Sequence, residues 1–361
     1  AMAPAPLPVR SPPAACDTDG AASPGGGSQG VWAAIEEQLE DELHKAHATR
    51  EHVELLATAE AAALRRRSGR ASGCPPASCG QGQRSLCLHL LGRMTAQLLG
   101  QSSLQCYFQA VSVLDDSFVA VAGERPPEEN HRVLARAAAA WLVAAKCEGH
   151  LVEGTGQAMQ VVTLCASRLS EDTGGPPILA DDVRREELGL LKASLPNLYA
   201  PTMLQWIDLV RGRFDVVTRR RAVGVFKATT PWMHTVAALA LQASPPSEQF
   251  PPRAIVAATL GLALVAAGLL RADAVLPACT TDVRSQDALD EVLQEPEECL
   301  RDADPVCLEA KAARAVLEFA TGLTIEEVRN YVPCVVILAI GACNRQQQAQ
   351  HTGAMKEASV H

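Results

Sequence analysis

Two charged side chains stand at the end of an apolar run, in the segment AAAAWLVAAKCEG from Ala137 to Gly149. The run predicts a helix that is apolar on nearly every face, and such a helix belongs at the centre of a bundle. Lys146 and Glu148, with Cys147 between them, would then lie at its exposed tip. Charged groups on a rigid helix end keep their geometry at low entropic cost and can bond a partner's main chain. This chemistry suits a binding interface.

GxxxxGK[ST] and HExxH do not occur in the chain. GxGxxG and GxSxG are matched only within the glycine-rich run Gly25–Gly30, outside any predicted strand or helix, so they do not indicate phosphate binding or catalysis. Twelve cysteines are spread along it, several within apolar helical segments, which is typical of free thiols in a reducing compartment. Cys74 and Cys79 have no second Cys/His pair at a zinc-like spacing. We therefore predict a protein that is not an enzyme, with no catalytic residue, no metal site and no cofactor.

The net charge of −9 argues against a uniformly basic nucleic-acid binder. The short basic runs at Arg65–Arg67 and Arg219–Arg221 are interpreted as solvated helix ends. Ala254–Leu270 is an uncharged stretch that is slightly short for a membrane span, so we expect a buried core helix there. No secretory signal is visible. We expect a soluble intracellular protein, in the nucleus with the cytoplasm as a further location, that binds neither nucleic acid directly nor a membrane.

The elements that would position these residues are helices. Hydrophobic residues make up 48% of the chain but aromatic residues only 4%, so the core must consist mainly of Ala, Leu and Val. Small aliphatic side chains favour close helix packing, which predicts an all-α fold. Helices are expected near 84–100, 103–121, 130–148, 155–170 and 182–195, and again near 202–217, 220–243, 252–271, 305–320 and 324–342.

The composition divides the chain into five parts. Residues 1–30 are rich in Pro, Ala, Gly and Ser and predict a disordered arm. Next, we expect one helix from 31 to about 67, followed by a loop to 83. Residues 84–200 and 201–345 each contain five predicted helices, of which the third is the most apolar. Such a pattern is compatible with an internal duplication. Residues 276–303 form an acidic insertion in the second unit, and 346–361 a tail.

Three segments in a fixed order carry a resemblance to a known family. They are AVSVLDDSF at Ala110–Phe118, AAAAWLVAAKCEG at Ala137–Gly149 and EELGLLKASLPNLYAPT at Glu186–Thr202. This order resembles the cyclin box, the five-helix module with which cyclins activate their kinases. The resemblance covers about residues 84–345 and is most specific over 104–202. It implies two tandem five-helix cyclin-like bundles with an additional N-terminal helix.

The resemblance also implies which residues face a kinase. AAKCEG is similar to the family's AAKYEE and ASKFEE, and the segment from Glu187 aligns without a gap with the family's helix-five pattern. Asp115 matches the family's Asp, a structural carboxylate that would brace neighbouring helices, although the next residue is Asp116 where the family has Arg. The kinase-binding residues implied in this way are Lys146, Cys147, Glu148, Glu187 and Leu191. Each has a plainer interpretation as well, since a charged helix end is usually solvated and Leu191 could belong to the core.

The function implied is that of a regulatory subunit that forms a heterodimer with a cyclin-dependent kinase and activates it. A transcriptional and a cell-cycle role both stay open. One alternative is a factor related to general transcription factor IIB, which would need a basic face and usually a zinc ribbon. Another is a cyclin-fold scaffold that binds peptides without a kinase. Lys146 and Glu187 distinguish these alternatives, because a scaffold has no reason to keep them.

Overall fold

A computed structural model of the protein describes residues 35–71, 81–99, 104–121, 129–150, 155–194, 200–243, 251–276, 292–294, 296–301 and 310–340. These residues are mostly helical and include no strand, which confirms the all-α prediction. The predicted arm at 1–30, the tail at 346–361, Cys74 and Cys79 lie outside the described residues, as does most of the acidic insertion at 276–303.

Residues 292–294 and 296–300 are also helical, and a helical turn at residues 35–38 precedes the numbered helices. In chain order they are α1 (Glu40–Lys45), α2 (Arg50–Ala71), α3 (Gln81–Leu98), α4 (Leu104–Val121), α5 (Asn130–Cys147), α6 (Thr155–Asp172), α7 (Ala180–Ser194), α8 (Met203–Val217), α9 (Val223–Ala243), α10 (Pro252–Ala266), α11 (Ala272–Val275), α12 (Ala310–Thr321) and α13 (residues 325–340).

Helix α5 lies at the centre of α3–α7, which we call the first group. Every residue from Val133 to Ala145 is buried, and the helix contacts α3, α4, α6 and α7. Four consecutive alanines in this stretch leave room for neighbouring backbones to approach closely, because alanine adds only one methyl group. The prediction of a helix buried on nearly every face is confirmed.

Helix α10 has the same position within α8–α13, the second group. Its residues Ala254–Leu264 are all buried, and it contacts α8, α9, α11 and α12. A Cβ atom at Gly261 would lie 3.1 Å from Val275 Cγ1 and 3.6 Å from Val328 Cγ1, so this glycine lets α11 and α13 pack closely. The expected core helix is thus present, but it ends at Ala266 instead of near 271. Within the described ranges, no helix combines the length and the apolar character that crossing a membrane would need.

The prediction of one continuous helix from 31 to about 67 is wrong. Helix α1 ends at Lys45, His47 adopts a left-handed φ of 49°, and α2 begins at Arg50. The Ala48 N–H donates to Leu43 O at 2.8 Å, which closes the turn. This turn places Ala48, which is fully buried, against α8 at Gly212, where an added Cβ atom would lie only 3.2 Å from the Ala48 Cβ. Burial of this turn explains the break.

A buried arginine fixes the N-terminal segment to the second group. Arg213 of α8 donates to Ala48 O at 3.0 Å and to Phe319 O at 3.1 Å, and it forms an ion pair with Glu36. Its guanidinium carbon also lies 4.2 Å from the centroid of the Phe319 ring, within the range of a cation–π contact. One side chain therefore joins three parts of the chain: residues 35–48, α8 and α12.

Candidate partner-binding site

The end of α5 is set by Gly149. This glycine has a left-handed φ of 74°, its N–H donates to Lys146 O at 3.2 Å, and the His150 N–H donates to Ala145 O at 2.9 Å. These two hydrogen bonds form a Schellman motif, which satisfies carbonyl groups that the helix end would leave unpaired. Lys146 lies in the last helical turn, where the helix dipole favours a positive charge. The lysine therefore stands on a rigid, well-capped helix end.

Helix α7 brings Glu187 to the same place. Val183 and Leu190 are buried, so α7 packs on α5 with one face, and Glu187 lies beside that face. The Nζ atom of Lys146 and the Oε1 atom of Glu187 form an ion pair between side chains that are 41% and 13% exposed. An ammonium group has three N–H donors and a carboxylate about four acceptor sites, so the pair can still bind polar groups of a partner.

A second pair of contacts fixes the rotation of α7 against α5. Glu186 accepts from Arg132 Nε at 3.1 Å and from Arg136 Nε at 2.9 Å, one bond to each carboxylate oxygen. The Arg136 side chain is only 5% exposed, so this contact is much less screened than a surface ion pair. Because Glu186 and Glu187 are adjacent, this anchoring also determines where Glu187 points. The sequence analysis did not identify these three positioning residues.

The remaining predicted contact residues differ in exposure. Cys147 is exposed, and burial of part of its surface together with nearby Glu148 raises the pKa of its thiol, so it is protonated at neutral pH. Glu148 is half-buried and forms the C-cap of α5. Leu191 is half-buried and packs against the hydrophobic core. The exposed apolar residue beside Glu187 is instead Leu188, at 56%.

Asp115 is completely buried and paired with an arginine that the sequence analysis did not single out. Arg84 Nε and Nη2 donate to the two Asp115 oxygens, both at 2.9 Å. Arg84 also donates to Leu241 O at 2.6 Å and to Gln242 O at 3.3 Å. The pair thus joins α3, α4 and α9 and ties the two groups of helices together. The sequence alone could have pointed to Arg84, because this charged residue lies one turn before the apolar residues Cys87 and Leu88, which are buried.

The site offers polar and apolar groups for binding a partner. Within the part of the chain that the structure describes, no three His, Cys, Asp or Glu residues lie close enough together to hold a metal ion. No protein-family model matches the sequence, and no curated protein is significantly similar to it.

Proposed function

We propose that this protein is a cyclin-like regulatory subunit that binds and activates a protein kinase of the cyclin-dependent type. The proposal includes the finer architecture, with two tandem cyclin-like bundles at 84–200 and 201–345. The observation that carries it is the partly exposed ion pair between Lys146, at the C-terminal end of α5, and Glu187, in the middle of α7. The residues that carry the resemblance to cyclins are also the ones that form this pair.

In the proposed complex, the pair binds the kinase through its remaining donors and acceptors. Lys146 donates to main-chain carbonyl groups next to the kinase's mobile regulatory helix, and Glu187 accepts from main-chain N–H groups. Charge-assisted hydrogen bonds of this kind are shorter and stronger than neutral ones. Leu188, exposed beside them, contributes about 1 to 2 kcal/mol if it becomes buried.

Activation follows from a difference in affinity. A partner that binds the active arrangement of the kinase more tightly shifts the kinase towards that arrangement. In the active state the regulatory helix supplies a glutamate to the lysine that positions the ATP phosphates. The rigidity of α5 and its capped end matters here, because a flexible contact would follow the kinase helix instead of moving it. This chain itself carries out no chemical step.

The experiment is a charge exchange across the pair. The double variant Lys146→Glu with Glu187→Lys keeps an ion pair between α5 and α7 but reverses the charges presented to a partner. Affinity purification of the wild type should recover a protein kinase at near-equal stoichiometry. The exchanged variant should recover at least about tenfold less kinase. Its carboxylate would then face the kinase's carbonyl groups and its ammonium group the kinase's N–H groups, and both contacts are repulsive. Thermal unfolding should change little, since the ion pair persists.

A matched control exchanges the charges of another exposed pair, Asp208→Arg with Arg211→Asp on α8. This pair has a separation of 3.0 Å, and the side chains of Arg211 and Asp208 are 46% and 66% exposed. The control should bind the kinase as the wild type does. Normal kinase recovery by the exchanged Lys146 and Glu187 variant would show that this pair only braces α5 against α7. Recovery of no kinase by the wild type would reject the proposed function itself.

A further inference from the structure

The end of α8 differs chemically from the other left-handed helix ends. Four helices end at a glycine with φ between 63° and 78°, namely Gly149, Gly174, Gly268 and Gly322. Glycine has no Cβ atom, so a left-handed conformation strains it little. Helix α1 uses His47, one of the side chains enriched at such positions. Helix α8 is followed instead by Arg219 and Arg220, with φ of 50° and 59°.

Two successive arginines in this conformation are unfavourable for the turn itself. The left-handed region brings Cβ too close to the following carbonyl oxygen, and arginine has no short polar group to compensate. The hydrogen bonds of the turn would form equally well with glycine, because they involve only the main chain. The Arg219 N–H donates to Val216 O at 3.0 Å, and the Arg220 N–H donates to Asp215 O at 2.7 Å. The guanidinium groups are therefore not needed for the geometry of the turn.

The side chains of the turn point to solvent and concentrate positive charge. Arg219, Arg220 and Arg221 are all exposed, and so is Lys227 in the second turn of α9. None of the four forms an ion pair with another described residue. Burial raises the pKa of the half-buried Asp215 carboxyl group. The positive charge of Arg220 acts in the opposite direction but does not cancel this rise. The cluster is therefore a positively charged patch on a chain whose net charge is −9.

We propose that the basic turn, Arg219–Arg221 with Lys227, binds a phosphorylated peptide segment of a partner protein. A solvated helix end explains the exposure of these residues but not the strained conformation of two arginines. Residues held in unfavourable backbone conformations are concentrated at binding sites. The planar guanidinium fork matches two phosphate oxygens, and a phosphoryl group carries nearly two negative charges in a small volume. Three arginines on one tight turn, with Lys227 in the helix that follows, suit such a ligand.

Nucleic acid fits this surface less well. A long polyanion would extend beyond the four cations onto a molecule with an excess of negative charge, which would repel it. Arg219–Arg221 are followed by Ala222 and Val223, so the turn offers no aromatic ring on which a base could stack. A phosphorylated side chain needs contact only at the turn itself.

The test uses residues that favour the left-handed conformation, in the variant Arg219→Gly with Arg220→Asn. This variant should unfold at a temperature higher by about 2 °C, because the strain is relieved, while the fold stays intact. The probe is an immobilised library of peptides of about a dozen residues, each with a central phosphothreonine or phosphoserine, beside its unphosphorylated counterpart. The full-length wild type should prefer the phosphorylated peptides, and the variant should bind them at least about tenfold more weakly.

A control with the same change in net charge is Arg50→Gln with Arg271→Gln, two arginines that are exposed elsewhere on the surface. It should retain the preference for phosphorylated peptides. Equal binding of phosphorylated and unphosphorylated peptides by the wild type would overturn the proposal. So would unchanged binding by the variant, or a preference of the turn for nucleic acid over phosphopeptide in competition. Kinase recovery should be the same for the variant and the wild type, which separates this test from that of the proposed function.

Discussion

A buried carboxylate gives the N-terminal segment a dependence on pH. Glu60 of α2 is 7% exposed and accepts a hydrogen bond from the Arg253 N–H at 3.3 Å, at the start of α10. Burial raises the pKa of Glu60 to about 7, although the Arg253 N–H, the Trp206 indole and the Arg253 charge all oppose the rise. Tyr331 also lies within electrostatic range of this carboxylate. The fold therefore favours the protonated form.

The sign and size of the effect follow from the two protonation states. The fold binds this proton more tightly than the unfolded chain, so the stability that it contributes is complete below the ordinary pKa of 4.5. That stability is lost as the pH rises through about 7. One pKa unit corresponds to about 1.4 kcal/mol, so the whole interval is worth about 3 kcal/mol. The variant Glu60→Gln, which resembles the protonated acid, should be more stable than the wild type by about 2 to 3 kcal/mol at pH 8.

The assay compares urea midpoints of the wild type and Glu60→Gln, followed by far-ultraviolet circular dichroism between about pH 5 and 8. Only the difference between the two proteins matters, because the other carboxylates titrate in both. The difference should be below about 1 kcal/mol at pH 5 and should grow through neutral pH. If Glu60→Gln were destabilised equally at both pH values, the carboxylate would be held in its charged form by Arg253. Burial would then not determine the protonation state of Glu60.

Two further substitutions test contacts that organise the fold. Arg84→Met leaves Asp115 buried without its partner and should cost about 3 to 5 kcal/mol in unfolding free energy, whereas Arg84→Met with Asp115→Leu should recover most of this loss. If the single and double variants unfold at the same midpoint, the two residues are not coupled. Gly149→Ala should lower stability by about 1 kcal/mol through backbone strain alone, since no atom lies within 4 Å of the added Cβ. An unchanged unfolding temperature would mean that the end of α5 can adopt another conformation.

The parts of the fold that the sequence predicts well are those with one dominant physical signal. The continuous apolar runs at Ala137–Ala145 and Ala254–Leu264 predicted the two buried helices, because a helix without a polar face has to be enclosed. The resemblance to the cyclin box implied that Lys146 and Glu187 lie on one surface, and the structure brings the two side chains together. Local pattern was sufficient for the two buried helices, whereas this pairing was expected from the resemblance.

Other features depend on contacts between residues that are far apart in sequence. The break at His47 carries no Gly or Pro signal, and it exists because Ala48 packs against Gly212 of α8. Arg136 lies within an apolar run, and Glu186, fifty positions away, neutralises its charge there. The hydrogen bonds from Arg84 to α9 span more than 150 residues of sequence. Neither composition nor periodicity encodes such pairings.

Site-specific photo-crosslinking tests whether a kinase docks at the C-terminal end of α5 and the adjoining middle of α7. A photo-reactive amino acid is placed at Leu188, beside the ion pair, or at Ile337 on α13, an apolar residue that is 69% exposed. We expect a covalent product between this protein and a kinase from position 188, with the crosslink at the kinase's regulatory helix, and none from position 337. Crosslinking to a kinase only from position 337 would contradict this expectation.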